Sequence, residues 1–269
     1  MSTLYRPFQP LLTDSGQQCF ALAAQQSPAT GRLKGIVHSY LQIKTSRPTP
    51  YPIIPDGMQA IFISTESIQL SGAQAQALDL QIQQSGEYFG IRFYPGALRH
   101  FFHLNLAEIS GEFVDHHYLP CSTLPQLHET IYQQNSFSQR ANACEQWLLQ
   151  HLAPQSFDRF DLALKQIYQF TGNIEITRLA NTTGISNRHL NRLFQQHTGL
   201  STKAFAQVIR IQSACKQLFH SPTNSLEIAD RLGFFDQAHL LREYKRHLRL
   251  NPRSLANRFM SDLSNPLSS

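Results

Sequence analysis

Apolar and polar positions alternate along much of the first 120 residues. Residues 35–43 (GIVHSYLQI) alternate in part and stop ahead of a proline-rich stretch at 48–55. Residues 60–64 (AIFIS), 77–82 (ALDLQI) and 89–94 (FGIRFY) carry the same signature. A period near two on half-buried chain predicts β-strands. Pro55-Asp56-Gly57 and Pro95-Gly96 read as turns, because proline presets φ and glycine accepts positive φ. The period then changes. Leu124, Leu127 and Ile131 fall at helical spacing, as do Ala141, Cys144, Trp147, Leu148 and Leu152, and Pro154 stops the second helix. From residue 159 to 259 nearly everything reads as helix, with turns at Gly184, Gly199, Pro222, Gly233 and Pro252. The expected architecture is an α+β two-domain chain. A β-rich N-terminal domain with two closing helices spans 1–153, and an all-α domain spans 157–260.

Within the helical part, residues 175–198 and 225–248 are two copies of one design. Leu179-Ala180 and Gly184 match Ile228-Ala229 and Gly233 at an offset of 49. His189-Leu190, Arg192, Phe194 and His197 match His239-Leu240, Arg242, Tyr244 and His247 at an offset of 50, so the second turn is one residue longer. Each shared feature has a role in a helix-turn-helix. The alanines let two helices approach closely, and the glycines permit a left-handed turn. Ser186 and Asp236 sit where the second helix of each unit needs an N-cap. Leu190, Leu193 and Phe194 share one face, as do Leu240, Tyr244 and Leu248, and these faces point inward. The opposite face carries Asn187, Arg188, Asn191, Arg192 and Gln195 in the first unit. In the second it carries Gln237, Ala238, Leu241, Arg242 and Lys245. Arg, Asn and Gln are the side chains that contact base edges in pairs in the major groove. Between the units, residues 202–219 form an apolar-faced helix of about 27 Å. That length suits two recognition helices in major grooves about 34 Å apart.

Charge is divided in the same way. Residues 157–260 hold 15 Lys and Arg against 7 Asp and Glu, a net of +8, whereas residues 1–156 hold 8 against 10, a net of −2. A basic domain behind a near-neutral one is expected when only one of them meets a polyanion.

ISNRHLNRLFQQHTG, then Arg210 and Ala214, then IADRLGFFDQAHLLREYKRH and Pro252, resemble the DNA-binding domain of AraC-type transcription regulators. The resemblance covers residues 160–258 and implies two helix-turn-helix subdomains joined by a long helix. By motif position it implies base reading by Arg188, Asn191 and Arg192, and by Gln237, Ala238, Leu241 and Arg242. Four positions depart from the family pattern. Leu241 is apolar and offers only a thymine-methyl contact, and Tyr244 stands for the usual Phe. Arg249 stands where Gly is frequent, and Leu255 where Tyr is. The stretches YPIIPDGMQAIFIS and GIRFYPGALRHFF are similar to an uncharacterised domain that precedes this DNA-binding domain in many regulators. That similarity implies a sensing or dimerising role and names no ligand.

Other chemistry finds little support. Cys19, Cys121, Cys144 and Cys215 are dispersed, which fits neither a zinc site nor a disulfide framework. His100 and His103, with Asp115, His116 and His117 nearby in sequence, supply ligand types for a metal, but the expectation is no metal and no cofactor. There is no P-loop, no GxGxxG and no GxSxG. No apolar run reaches the ~20 residues that span a bilayer, and the N-terminus lacks a signal pattern, so the expected location is the cytoplasm. The function expected is sequence-specific regulation of transcription, without enzymatic activity. Double-stranded DNA is the expected partner, with RNA polymerase, a small-molecule effector and a second copy of the chain as further candidates. An AraC-like DNA-repair methyl-acceptor would need clustered cysteines. A non-specific architectural binder would rely on phosphates and wedges rather than paired recognition helices.

Overall fold

A computed structural model of the chain describes residues 5–109, 111–119, 121–220 and 224–259. Helix α1 (Asp14–Cys19) precedes the strands β1 (Leu22–Pro28), β2 (Val37–Thr45), β3 (Thr49–Ile53), β4 (Gln59–Ile63), β5 (Ile68–Ser71), β6 (Leu78–Ile82), β7 (Gly86–Phe93) and β8 (Phe113–Asp115). The remainder is helical: α2 (Leu124–Tyr132), α3 (Phe137–His151), α4 (Arg159–Gln169), α5 (Ile176–Thr183), α6 (Asn187–Thr198), α7 (Thr202–His220), α8 (Ser225–Arg231), α9 (Gln237–Leu248) and α10 (Pro252–Phe259). This is the α+β arrangement expected, with a β-rich part, two closing helices and an all-helical part. The turn expected at Pro222 and the domain end at residue 260 lie outside the described residues.

Six strands form one sheet in the order β1-β2-β7-β4-β5-β8, and β3 pairs with β6 in a separate ribbon. Strands β2, β4, β6 and β7 are those the alternation predicts. Strands β1, β3, β5 and β8 are not signalled by it. The alternation assigns no strand to the proline-rich stretch, yet Thr49–Ile53 is one, with Pro50 opposite Gln81 and Pro52 opposite Asp79. Proline cannot donate to a ladder, and a two-stranded ribbon consists only of edges, where that loss is tolerated.

Side chains of β2 alternate between two cores. Tyr40 faces a core that α2 and α3 close with Leu124, Leu127, Ile131, Ala141, Cys144 and Leu148. The apolar face of α3 is therefore buried within its own chain. Leu41 and Ile43 face a second core whose other half is Ile211, Cys215, Leu218, Phe219, Tyr244 and Phe259 from the helical part. A third core joins Tyr5, Met58 and Ala73 to Phe160, Leu190, Phe194, Phe205 and Ile209. The β-rich region thus shares a hydrophobic core with each helix-turn-helix unit.

Polar contacts fix the same seam. Gln212, 3% exposed on α7, accepts from the Phe8 backbone at 3.0 Å. Its amide donates to the carbonyls of Phe8 at 3.0 Å and Pro55 at 2.9 Å. A buried polar group without partners would cost about 1–3 kcal/mol, so full satisfaction here specifies the docking. The Pro55-Asp56-Gly57 turn forms as expected, with Gly57 at φ 72° and Asp56 accepting from Met58 N at 3.0 Å. The Asp56 carboxylate also pairs with the buried guanidinium of Arg92. Tyr5 donates to the Asp56 carbonyl and stacks on Tyr168 with ring centroids 4.8 Å apart.

Candidate nucleic-acid interface

Each repeat is a three-helix body, α4-α5-α6 and α7-α8-α9. The turns share their backbone geometry. Gly184 and Gly233 both sit at φ 69°. Ile185 N donates to Ala180 O at 3.2 Å, and Phe234 N to Ala229 O at 2.8 Å. Ala180 and Ala229 are buried at these close approaches. An arginine from the first helix of each body closes its turn: Arg159 donates to Gly184 O and Arg210 Nε to Leu232 O at 2.9 Å. The Arg210 guanidinium also lies 3.9 Å from the Phe234 ring centroid. Because Ile185 and Phe234 make the same bond, the extra residue of the second turn is Phe235, which is 91% exposed.

The second helix of each turn starts at the expected cap. Ser186 accepts from His189 N at 3.2 Å, and Asp236 from His239 N at 2.5 Å. Leu190 and Phe194 are buried in the first unit, and Leu240, Tyr244 and Leu248 in the second, whereas Leu193 is only half-buried. The opposite faces are open. Asn187, Arg188, Arg192 and Gln195 are exposed on α6, and Gln237, Ala238, Arg242 and Lys245 on α9. Asn191 and Leu241 are half-buried. Among the described residues no carboxylate pairs with Arg188, Arg192, Arg242 or Lys245, so these cations face solvent uncompensated.

Two expected readers already have partners. Asn191 Oδ1 accepts from Thr202 N at 3.1 Å, capping α7, and its amide donates to Gln195 Oε1 at 3.2 Å. Gln237 donates to Ser225 Oγ at 2.5 Å. Arg253, which sequence reasoning passed over, is exposed and shares a recess with Gln237, Ala238, Leu241, Arg242 and Lys245. The signal for it was Pro252 at the first position of α10, which places Arg253 in the opening turn beside α9.

The repeated histidines differ. His197 packs edge-on against Phe160, with centroids 5.0 Å apart. Burial, reinforced by the Arg99 charge, pushes its pKa down to about 4. His247 is 4% exposed and pairs through Nδ1 with Ala75 O at 2.7 Å. Asp115, His116 and His117 bring ligand atoms within 4.8 Å of one another. Asp115 there accepts from His117 N at 3.1 Å and caps a short turn. Cys144 and Cys215 are buried and far apart in the chain, and burial pushes the Cys215 thiol up to about 12. No helix among the described residues is long and apolar enough to cross a membrane.

Residues 179–258 match the family model described as a helix-turn-helix domain, and residues 25–115 match a domain of unknown function, DUF6597. The chain is 31% identical over 121 residues to the HTH-type transcriptional regulator GlxA of Rhizobium meliloti, covering 45% of this chain and 36% of that protein. It is 24% identical over 165 residues to the HTH-type transcriptional activator RhaS of Escherichia coli O9:H4, covering 55% of this chain and 59% of that one. The alignments thus span from about a third to under two thirds of these relatives' length. Among solved structures, ToxT from Vibrio cholerae is similar with a TM-score of 0.45 at 9% identity, covering 88% of this chain and 98% of that one.

Proposed function

We propose that the chain, which carries a helix-turn-helix domain behind a DUF6597 domain, is an AraC-type regulator that binds DNA sequence-specifically through α6 and α9, set in successive major grooves. The observation that carries this reading is the pair of matched turns, each presenting a helix whose outward arginines, Arg188 and Arg192 on α6 and Arg242 on α9, have no acidic partner among the described residues. Arg188, Arg192 and Arg242 read base edges, aided by Asn187 and Gln195 in the first unit and Gln237 in the second. Ala238 and Leu241 contact thymine methyls, and Lys245 and Arg253 hold phosphates. Asn191 reads a base only if it releases α7.

Regulation rests with residues 1–153, which respond to a small-molecule effector, and RNA polymerase is the machinery regulated. The site best suited to an effector is a cavity of about 430 Å³ between the sheet and the β3-β6 ribbon, walled by Leu41, Ile43, Phe62, Leu80, Tyr88 and Phe113. Its walls favour an apolar, uncharged ligand.

The test is competition binding of the full chain to its genomic sites against random duplex. Arg192→Ala and Arg242→Ala should each weaken specific binding ten- to a hundredfold, which is about 1–3 kcal/mol, and leave random-duplex binding nearly unchanged. Lys245→Ala should weaken both alike. Equal losses on both duplexes for the arginine variants would favour an architectural binder and sink the reading.

A further inference from the structure

Phe235 is the residue by which the second turn exceeds the first, and it is 91% exposed. Water is a costly place for a phenylalanine ring. At that exposure the ring adds nothing to the packing of its own unit. The backbone beneath it is nevertheless braced on both sides. Phe234 N donates to Ala229 O at 2.8 Å, and Phe235 N donates to His239 Nδ1 at 3.3 Å. Asp236 accepts from His239 N at 2.5 Å and caps α9. The His239 ring also packs edge-on against Phe234, with centroids 5.5 Å apart. A rigid loop thus holds an apolar ring out in solvent, and its use lies outside the chain.

Phe235 stands two residues before Gln237 and three before Ala238. Extended backbone spans at most about 3.6 Å per residue, so its Cα lies within about 7 Å of Gln237 and about 11 Å of Ala238. The N-terminal residues of a recognition helix are those that reach base edges. A duplex that takes α9 into its major groove therefore meets Phe235 at the same groove. Successive base pairs are about 3.4 Å apart, so the ring falls within two or three pairs of the one Gln237 faces.

The surroundings suit a polyanion with apolar points on it. Arg242 and Lys245 are exposed, and Arg253 shares their recess. The neighbouring Asp236 carboxylate is engaged in the cap. Ala238 and Leu241 continue the apolar character along α9, where the first unit has Arg188 and Asn191 at the matching positions and no residue for Phe235. A phenyl ring gains nothing from a phosphate. The apolar group that a major groove offers is the thymine C5 methyl, which Phe can pack against.

We propose that Phe235 is a specificity-determining residue, whose ring packs on the methyl of a thymine at the edge of the half-site read by α9. The first unit has no residue to make this contact. The inference rests on the reading of α9 as a recognition helix.

The test pairs a protein change with the loss of one methyl from the DNA. Full-length parent and Phe235→Ala each select sites from a pool of random duplexes. The parent should select a thymine beside the bases that depend on Arg242, and the variant should accept any base there. Deoxyuridine in place of that thymine removes only the methyl. It should weaken the parent about fourfold, the worth of one buried methyl, and leave Phe235→Ala unchanged. Phe235→Leu should keep part of the thymine preference. The thermal midpoint of Phe235→Ala should equal that of the parent, and if it falls, Phe235→Gln carries the same comparison. The proposal is overturned if the variant selects the same thymine, or if uracil weakens parent and variant equally. It is also overturned if Phe235→Ala binds DNA like the parent but no longer regulates transcription, which would assign the ring to a protein partner. Arg242→Ala in parallel separates the two readings. If it changes no selected base, the reading of α9 falls and this inference with it. If it changes the selection while Phe235→Ala does not, the thymine contact alone is refuted.

Discussion

The two helix-turn-helix bodies share a frame and differ in what they present. Both have the small alanine, the left-handed glycine at φ 69°, the arginine that closes the turn, and the buried leucine and aromatic ring. These positions are dictated by how three helices pack, so a duplicated unit keeps them. The presented surfaces obey no such rule. The first unit shows Asn187, Arg188, Arg192 and Gln195, a row of hydrogen-bonding groups. The second shows Ala238 and Leu241 beside Arg242, with the extra Phe235 standing almost fully in water. The first surface is suited to polar base edges. The second combines one arginine with apolar contacts, the only kind a thymine methyl can make. Packing conserves the frame and leaves the readout free to diverge.

The largest expected effect tests the shared frame. Phe194→Ala and Tyr244→Ala should each cost about 3–5 kcal/mol, since both rings are fully buried. Each unit shares a core with the β-rich region, so chemical denaturation should show one transition in both variants. A separate early transition for either would show that unit melting alone. Next come the glycines. Gly184→Ala places a methyl no nearer than 3.5 Å to the Arg159 guanidinium, so its cost is the positive φ, about 1 kcal/mol. Gly233→Ala brings the methyl to 2.1 Å from Asn173 Nδ2, which must swing aside, and it should lose measurably more. Equal losses would mean that the second turn is as loosely surrounded as the first.

The effect of pH is graded rather than confined to one variant. Burial lowers the His197 pKa from 6.5 to about 4, and His38 in the β-rich part shifts likewise. Between those values the unfolded chain binds protons that the folded chain refuses, so stability falls as pH drops from 6.5 toward 4. The thermal midpoint should be lower at pH 5 than at pH 7.5, and His197→Gln should flatten part of that slope. An unchanged slope would mean that His197 is protonated in the fold without penalty.

What could be read from the sequence was what local rules govern. The caps at Ser186 and Asp236, the turn glycines and the inward Leu190, Leu240 and Leu248 depend on neighbours within one or two helical turns and are found where the pattern puts them, while Leu193 is only half-buried. Strand β3 was missed because its prolines signal a break unless the pairing partner is known. Asn191 was read as a free reader because nothing local shows that Thr202 needs its oxygen. The bonds that Ala73 N and Ala77 N donate to the carbonyls of Thr198 and His247 were beyond any pattern. They are made by backbone amides, which every residue but proline carries, and alanine advertises no polar role. The two faces of the sheet were similarly silent, because alternation shows that a residue is buried without showing what buries it.

The shared cores bear on how such a protein could be recombined. A regulator assembled from interchangeable sensing and DNA-reading modules would need a dry, self-contained surface on each. Here Ile211, Leu218, Phe219 and Phe259 lie against Leu11, Leu22 and Ile43. Grafting this helical half onto a foreign sensor would leave an oily strip open to water unless the new partner brought a matching surface. The seam between the halves would then limit which fusions stay in solution, before any question of which operator they read.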